Sequence, residues 1–190
     1  TLGDLPMPAE WVVVAAVAVG VFVLANLLTS TTVEYRLSVD IVSSDLAGAY
    51  DAIRLQKVAA GWATFPGATS TVVARGEDGQ VGSRLKFLTP FGREAGHQTV
   101  VWLEENKSVT FRLSDPTPFH CQTQQLSFTL ATTPEGLRVD LHLLNSITPP
   151  FHVVLRSAGV ADWLRDGHRS DLDALKRFLE ARASHAKKAS

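Results

Sequence analysis

The chain is expected to be an α+β protein in which one antiparallel sheet packs against a long C-terminal helix, with a single transmembrane helix ahead of them. Three observations point there. Residues 11–28, WVVVAAVAVGVFVLANLL, contain no acidic or basic side chain. Residues 69–144 break into six strand-like runs separated by turn material. Beyond about residue 160 the apolar positions recur with a helical period.

The apolar run comes first in the chain. No Asp, Glu, Lys or Arg lies between Glu10 and Glu34. As a helix, the 18 residues from Trp11 to Leu28 would nearly cover the ~30 Å of bilayer hydrocarbon. Trp11 suits an interfacial position at one end, and Asn26 is the polar exception near the other. A secretion signal would need a basic leader and a small-residue cleavage site, and neither is present. All 18 Lys and Arg residues lie at Arg36 or later, whereas the segment before the span holds only Asp4 and Glu10 as charged residues. The basic side is therefore expected to be cytoplasmic, making this a single-pass membrane protein with a cytoplasmic C-terminal domain. The lone Cys121 cannot form an internal disulfide, which agrees with that compartment.

The expected organisation is an N-terminal segment, residues 1–32, containing the span at about 11–28, followed by one domain at 33–190. A net charge of −1 with 45% hydrophobic residues suits a domain with a sizeable core. It gives no basic face for nucleic acid, so no nucleic-acid partner is expected.

VEYRLSVDIV, from Val33 to Val42, alternates. Val33, Tyr35, Leu37, Val39 and Ile41 share one face, and Glu34, Arg36, Ser38 and Asp40 share the other, as in a half-buried strand. SSDLAGAYDAIR then changes period, with Ser44 able to cap a helix whose Leu46, Ala49, Tyr50 and Ile53 lie on one side. A second short helix or loop leads to AAGWATFPG. Six strands follow at 69–75, 82–88, 97–104, 108–114, 124–131 and 137–144, forming an antiparallel meander. SVTFRL and LSFTL alternate cleanly, which points Val109, Phe111 and Leu113, and Leu126, Phe128 and Leu130, inward. In the final helix, Leu164, Leu172, Leu175, Phe178 and Leu179 share a face. Pro is tolerated at a first helical position, so this helix can begin as early as Pro150. Gly159 and Gly167 suggest a break or a close approach within it.

This order of elements, with VDIVSSDLAGAYDAI entering the first helix, GW at Gly61 and Trp62, DGQVGSRLKF around Gly82 and LDALKRFLEA near the end, resembles the START-like or SRPBCC superfamily. Within it, the order resembles the polyketide cyclase/dehydrase and lipid-transport group. The resemblance covers about Val33 to Ala183. It implies a helix-grip fold, a curved sheet wrapped on the C-terminal helix around a deep apolar cavity. Usual members lack an N-terminal span.

Chemistry-bearing residues are sparse. The six histidines adopt no metal-ligand spacing, so no metal and no cofactor is expected. His120 and Cys121 are neighbours that an extended chain would point apart. Asp140 and His142 share the polar face of a strand, which suits either an acid/base pair or an exposed sheet surface. The aromatic residues are mostly core candidates. If a cavity is present, Trp62, Phe65, Phe87, Phe111 and Phe128 are its expected lining, with Trp62 and Phe65 near the mouth. Trp102 is out of phase with Val101 and Leu103 and should face outward.

The resemblance and the span together favour membrane-anchored binding or carriage of a hydrophobic small molecule, such as a lipid, an isoprenoid quinone or a polyketide-like compound. The expected partners are that molecule, the membrane through Trp11 to Leu28, and possible membrane proteins. An accessory subunit of a membrane complex is the second alternative, and a cyclase- or dehydratase-like enzyme is the third. With no acid/base constellation in view, the non-enzymatic roles are preferred.

Overall fold

In β1 (Thr31–Ile41) the alternation is realised: Tyr35, Leu37 and Ile41 are buried, and Glu34, Arg36, Ser38 and Asp40 are exposed. The structure is a computed structural model and describes residues 9–28, 31–64, 68–114, 122–147 and 159–189. β1 pairs with the last strand, β7 (Gly136–Ile147), antiparallel from Thr31 opposite Ile147 to Ile41 opposite Leu137. Between them in sequence run β2 (Ser70–Arg75), β3 (Arg84–Leu88), β4 (Glu94–Glu104), β5 (Ser108–Ser114) and β6 (Gln122–Thr133). The seven-stranded sheet has the order β1-β7-β6-β5-β4-β3-β2. The meander is thus the expected one, and β1 closes onto its far end.

Two local features shape the sheet. Pro134 and Glu135 make the β6–β7 turn, and the following Gly136 adopts φ 149°. A Cβ there would run into the Ile41 carbonyl, so only glycine lets the hairpin approach the end of β1. A bulge shifts the β4–β5 register between Val100 and Trp102, and Trp102 is 62% exposed, as its phase predicted.

One face of the sheet is covered by helices. α2 (Leu46–Arg54) buries Ala49, Tyr50, Ala52 and Ile53. Its cap is Asp45 rather than the expected Ser44: the Asp45 Oδ1 accepts from the Gly48 N–H at 2.8 Å. α3 (Gln56–Ala59) is held at its start by Asp78, whose carboxylate accepts from the Gln56 N–H at 2.6 Å. α4 (Val160–Ala189) lies against β1 and buries Leu172, Leu175 and Leu179. Gly159, with φ 68°, precedes it, and Gly167 lies within it. A Cβ at Gly167 would meet nothing within 4 Å, and the helix continues through that residue without the expected break. One helical glycine costs about 1 kcal/mol, which the apolar stripe outweighs.

α1 (Ala9–Leu28) is helical, and its exposed apolar side chains include Trp11, Val13, Val17, Val21 and Phe22. Among the described residues no helix is long and apolar enough to cross a membrane. The expected transmembrane helix at 11–28, and with it a single-pass membrane protein with a cytoplasmic domain, is corrected accordingly.

The fold rests on α4, and Leu175 is fully buried at its centre. Leu175→Asp should abolish cooperative unfolding, because an unpaired buried carboxylate costs several kcal/mol against a total of about 5–15 kcal/mol. A melting curve matching that of the unaltered protein would show that the helix does not grip the sheet.

Candidate functional site

Register organises the helix-covered face into levels. Val100, Phe111, Leu126, Leu143 and Tyr35 are successive cross-strand partners on β4, β5, β6, β7 and β1. Next to them lie Val109, Phe128, Leu141 and Leu37. None of these nine is more than 8% exposed. Trp62 and Phe128 meet edge to face with centroids 6.0 Å apart, and Phe111 and Phe128 do the same at 6.0 Å. Each such pair adds about 0.5–1.5 kcal/mol beyond burial. The Trp62 Nε1–H donates to the Ala52 carbonyl at 2.9 Å, which fixes the ring beneath α2. Three of the expected lining residues, Trp62, Phe111 and Phe128, thus come together. Phe87 is buried on β3 but stands apart from this cluster, and Phe65 lies outside the described residues.

The inward stripe of α4 is interrupted by polarity. Leu164, His168, Asp171, Leu172, Leu175 and Leu179 follow one another at helical spacing, and both polar members are buried. The Tyr35 hydroxyl lies 2.5 Å from His168 Nδ1. The Arg165 guanidinium stands over the Tyr35 ring, 5.7 Å from its centroid. Asp171 Oδ1 accepts from the Thr64 N–H at 3.1 Å and from the Thr64 hydroxyl at 2.6 Å, tying the segment after Trp62 to α4.

Burial governs the titration of all three groups. It pushes the His168 imidazole down to about 4, against a smaller upward pull from its hydrogen bond with the Leu164 backbone. It pushes the Asp171 carboxyl up to about 6, although the two Thr64 hydrogen bonds favour the anion. It also raises the Tyr35 phenol well above its ordinary range, partly offset by Arg165. Near neutral pH, His168 and Tyr35 are therefore an uncharged hydrogen-bonded pair. Such a pair can give or take a hydrogen bond without bringing charge into the interior.

Sequence reasoning singled out neither Tyr35 nor the His168–Asp171 step as a site. The signal was present: residues 168 and 171 fall four and seven positions after Leu164, on the apolar face. The polar pairs that were considered face outward. His142 Nε2 meets Glu34 Oε1 at 2.8 Å, while Asp140 pairs with Arg138 at 3.0 Å, so both belong to the solvated sheet surface. His120 and Cys121 lie outside the described residues. Among the described residues, no group of three or more His, Cys, Asp or Glu side chains could hold a metal ion. At the opposite end of β1, a cleft of about 410 Å³ is lined by Asp40, Ile41, Val42, Thr133, Pro134, Glu135 and Lys176.

No protein-family model matches the chain, and no curated protein does. Solved structures do match. A protein of unknown function from Staphylococcus aureus superposes with TM-score 0.64 at 10% identity, over 83% of this chain and 99% of that one. Norcoclaurine synthase from Thalictrum flavum, in complex with dopamine and hydroxybenzaldehyde, gives 0.58 at 12% identity, over 82% and 90%. The major latex-like protein 151 of Panax ginseng gives 0.55 at 17% identity, over 80% and 97%. At such identities the likeness concerns the fold alone, a seven-stranded antiparallel sheet with a C-terminal helix, which is consistent with a helix grip.

Asp171 makes the polar stripe testable through pH. Its raised pKa means that the fold favours the neutral carboxyl, a contribution complete below about 3.8 and lost as pH rises through about 6. His168 acts oppositely: its contribution is complete above about 6.5 and lost as pH falls through about 4. Asp171→Asn keeps an oxygen for both Thr64 bonds and removes the charge. Its melting temperature relative to the unaltered protein should therefore climb as pH rises from 4 to 7. A difference that is flat over this range would contradict the assigned burial of the carboxyl.

Proposed function

We propose that this chain binds a hydrophobic small molecule between the covered sheet face and its helices. The observation that supports this most directly is the juxtaposition of two apolar levels centred on Phe111 and Phe128 with the uncharged Tyr35–His168 pair at their edge. An apolar lining with a few convergent polar groups is the usual composition of a small-molecule site. The fold supports the reading by analogy, because the Thalictrum flavum enzyme of the same architecture was determined with two small aromatic compounds. A lipid, an isoprenoid quinone or a polyketide-like compound suits such a lining.

A cyclase-like reaction is the second reading, and one observation favours it. Tyr35, His168 and Asp171 are titratable groups gathered on the inner side of α4, two of them with strongly displaced pKa values near the working range. In such a reaction neutral His168 would accept a proton and the Tyr35 hydroxyl would hydrogen-bond a developing oxyanion.

Mass spectrometry of small molecules extracted from the gently purified protein tests the binding reading. The expected result is an apolar compound in near-stoichiometric amount, reduced in a Phe111→Trp variant. That variant should remain folded, since overpacking costs about 1–3 kcal/mol. An extract holding no such compound, together with no uptake of an apolar dye, would refute it. Turnover of the extracted compound that is lost in His168→Gln while binding persists would favour the enzyme instead.

A further inference from the structure

Two residues from the Val100–Tyr35 level, toward the N-terminal end of α4, the inward side chains change character. Gln98, Leu113, Gln124, Asn145 and Val33 are successive cross-strand partners on β4, β5, β6, β7 and β1. With strands about 4.8 Å apart, this row is about 19 Å across. Three of its five side chains are carboxamides, on a face that elsewhere is almost wholly hydrocarbon. Gln98 is 5% exposed and Asn145 is fully buried, so these are not surface groups. The Gln98 Nε2–H donates to Gln56 Oε1 at 2.8 Å. Gln56, also fully buried, keeps an Nε2 donor with no hydrogen-bond partner among the described residues. A buried donor in that state is destabilising, and an acceptor supplied from outside the chain would relieve it.

Charge is what this row lacks. Its polar members are neutral amides, and the Tyr35–His168 pair on the adjoining level is neutral as well. The neighbouring cation, Arg165, is exposed, lies over the Tyr35 ring and has Asp162 at 3.8 Å. The neighbouring anion, Asp171, would repel a second anion. A carboxylate entering here would lose its hydration with no free cation among the described residues to replace it.

We propose that this carboxamide row, with the Tyr35 hydroxyl beside it, recognises the uncharged polar end of an elongated hydrophobic ligand, an alcohol, ketone or phenol. The ligand's apolar body then lies against the Phe111 and Phe128 levels, in the orientation their register dictates. The inference rests on the hydrophobic-ligand reading above and adds to it the class of the ligand's polar group.

Calorimetric titration of the full chain at neutral pH with three probes of equal chain length, decanol, decanoate and decylammonium, tests it. Decanol should bind at least about tenfold more tightly than decanoate, the equivalent of about 1.4 kcal/mol. It should also bind more tightly than decylammonium. In the double variant Gln56→Leu with Gln98→Leu, which removes both hydrogen-bonding partners together and so leaves neither stranded, that preference should shrink severalfold. Decanoate or decylammonium binding as tightly as decanol to the unaltered protein would overturn the inference while leaving the hydrophobic-ligand reading in place. A folded double variant that keeps the full preference would overturn it too. If no probe binds, the hydrophobic-ligand reading itself fails, and this inference falls with it.

Discussion

An antiparallel sheet with one apolar face cannot stand uncovered in water, and here α4 supplies much of the cover. Leu172, Leu175 and Leu179 are almost wholly buried by that contact. Toward the C-terminal part of the helix the fit is fixed by the Lys176 Nζ, which donates to the Asp40 carbonyl at 2.8 Å, and by Glu180, which accepts from the Val42 N–H at 3.2 Å. Farther toward its start, Asp171 holds Thr64, and His168 meets Tyr35. Removing the stripe would expose the sheet and release both sets of bonds together.

The same stripe carries a cost that packing alone does not explain. Leucine at positions 168 and 171 would continue the apolar face. Instead, burial disfavours the charged form of each side chain, and at neutral pH Asp171 is held ionised against that preference. Departures of this kind from an otherwise consistent pattern tend to mark functional positions. The polar residues are also grouped. Tyr35 and His168 lie one level from the carboxamide row, whereas the level on the other side, which holds Leu37 and Phe128, is apolar. The interior therefore has a polar end and an apolar body, a polarity that an amphiphilic ligand would share.

Much of this architecture was legible in residue order. Period-two alternation at Val33–Ile41 and in SVTFRL and LSFTL marked both the strands and their inward faces, since burial on one side leaves little choice of phase. The pairing of β1 with β7 was not legible, because no local signal relates residues about a hundred positions apart. Nor could Gly167 be assigned, as a helical glycine looks the same whether it permits a close contact or, as here, faces open space. The apolar run at 11–28 reads as a span by composition, whereas among the described residues no helix is long and apolar enough to cross a membrane. Within the candidate site, Phe111 and Phe128 could be named from strand phase, as Phe87 was, whereas Trp62 lies on no strand and has no such phase. His168 and Asp171 form no metal-binding or catalytic spacing, and only the helix face they share with Leu164 sets them apart. The carboxamide row was invisible for a deeper reason: its members align only once the register of five strands is known.

The central claim is that α4 and β1 hold an uncharged polar end beside an apolar interior. Nitrogen-15 NMR of the His168 ring, recorded across pH with and without decanol, tests this most directly. The account predicts a ring that stays uncharged until the pH approaches about 4 and whose signals shift on adding the alcohol. A ring that titrates near its ordinary value, or that is unmoved while decanol binds elsewhere, would contradict it.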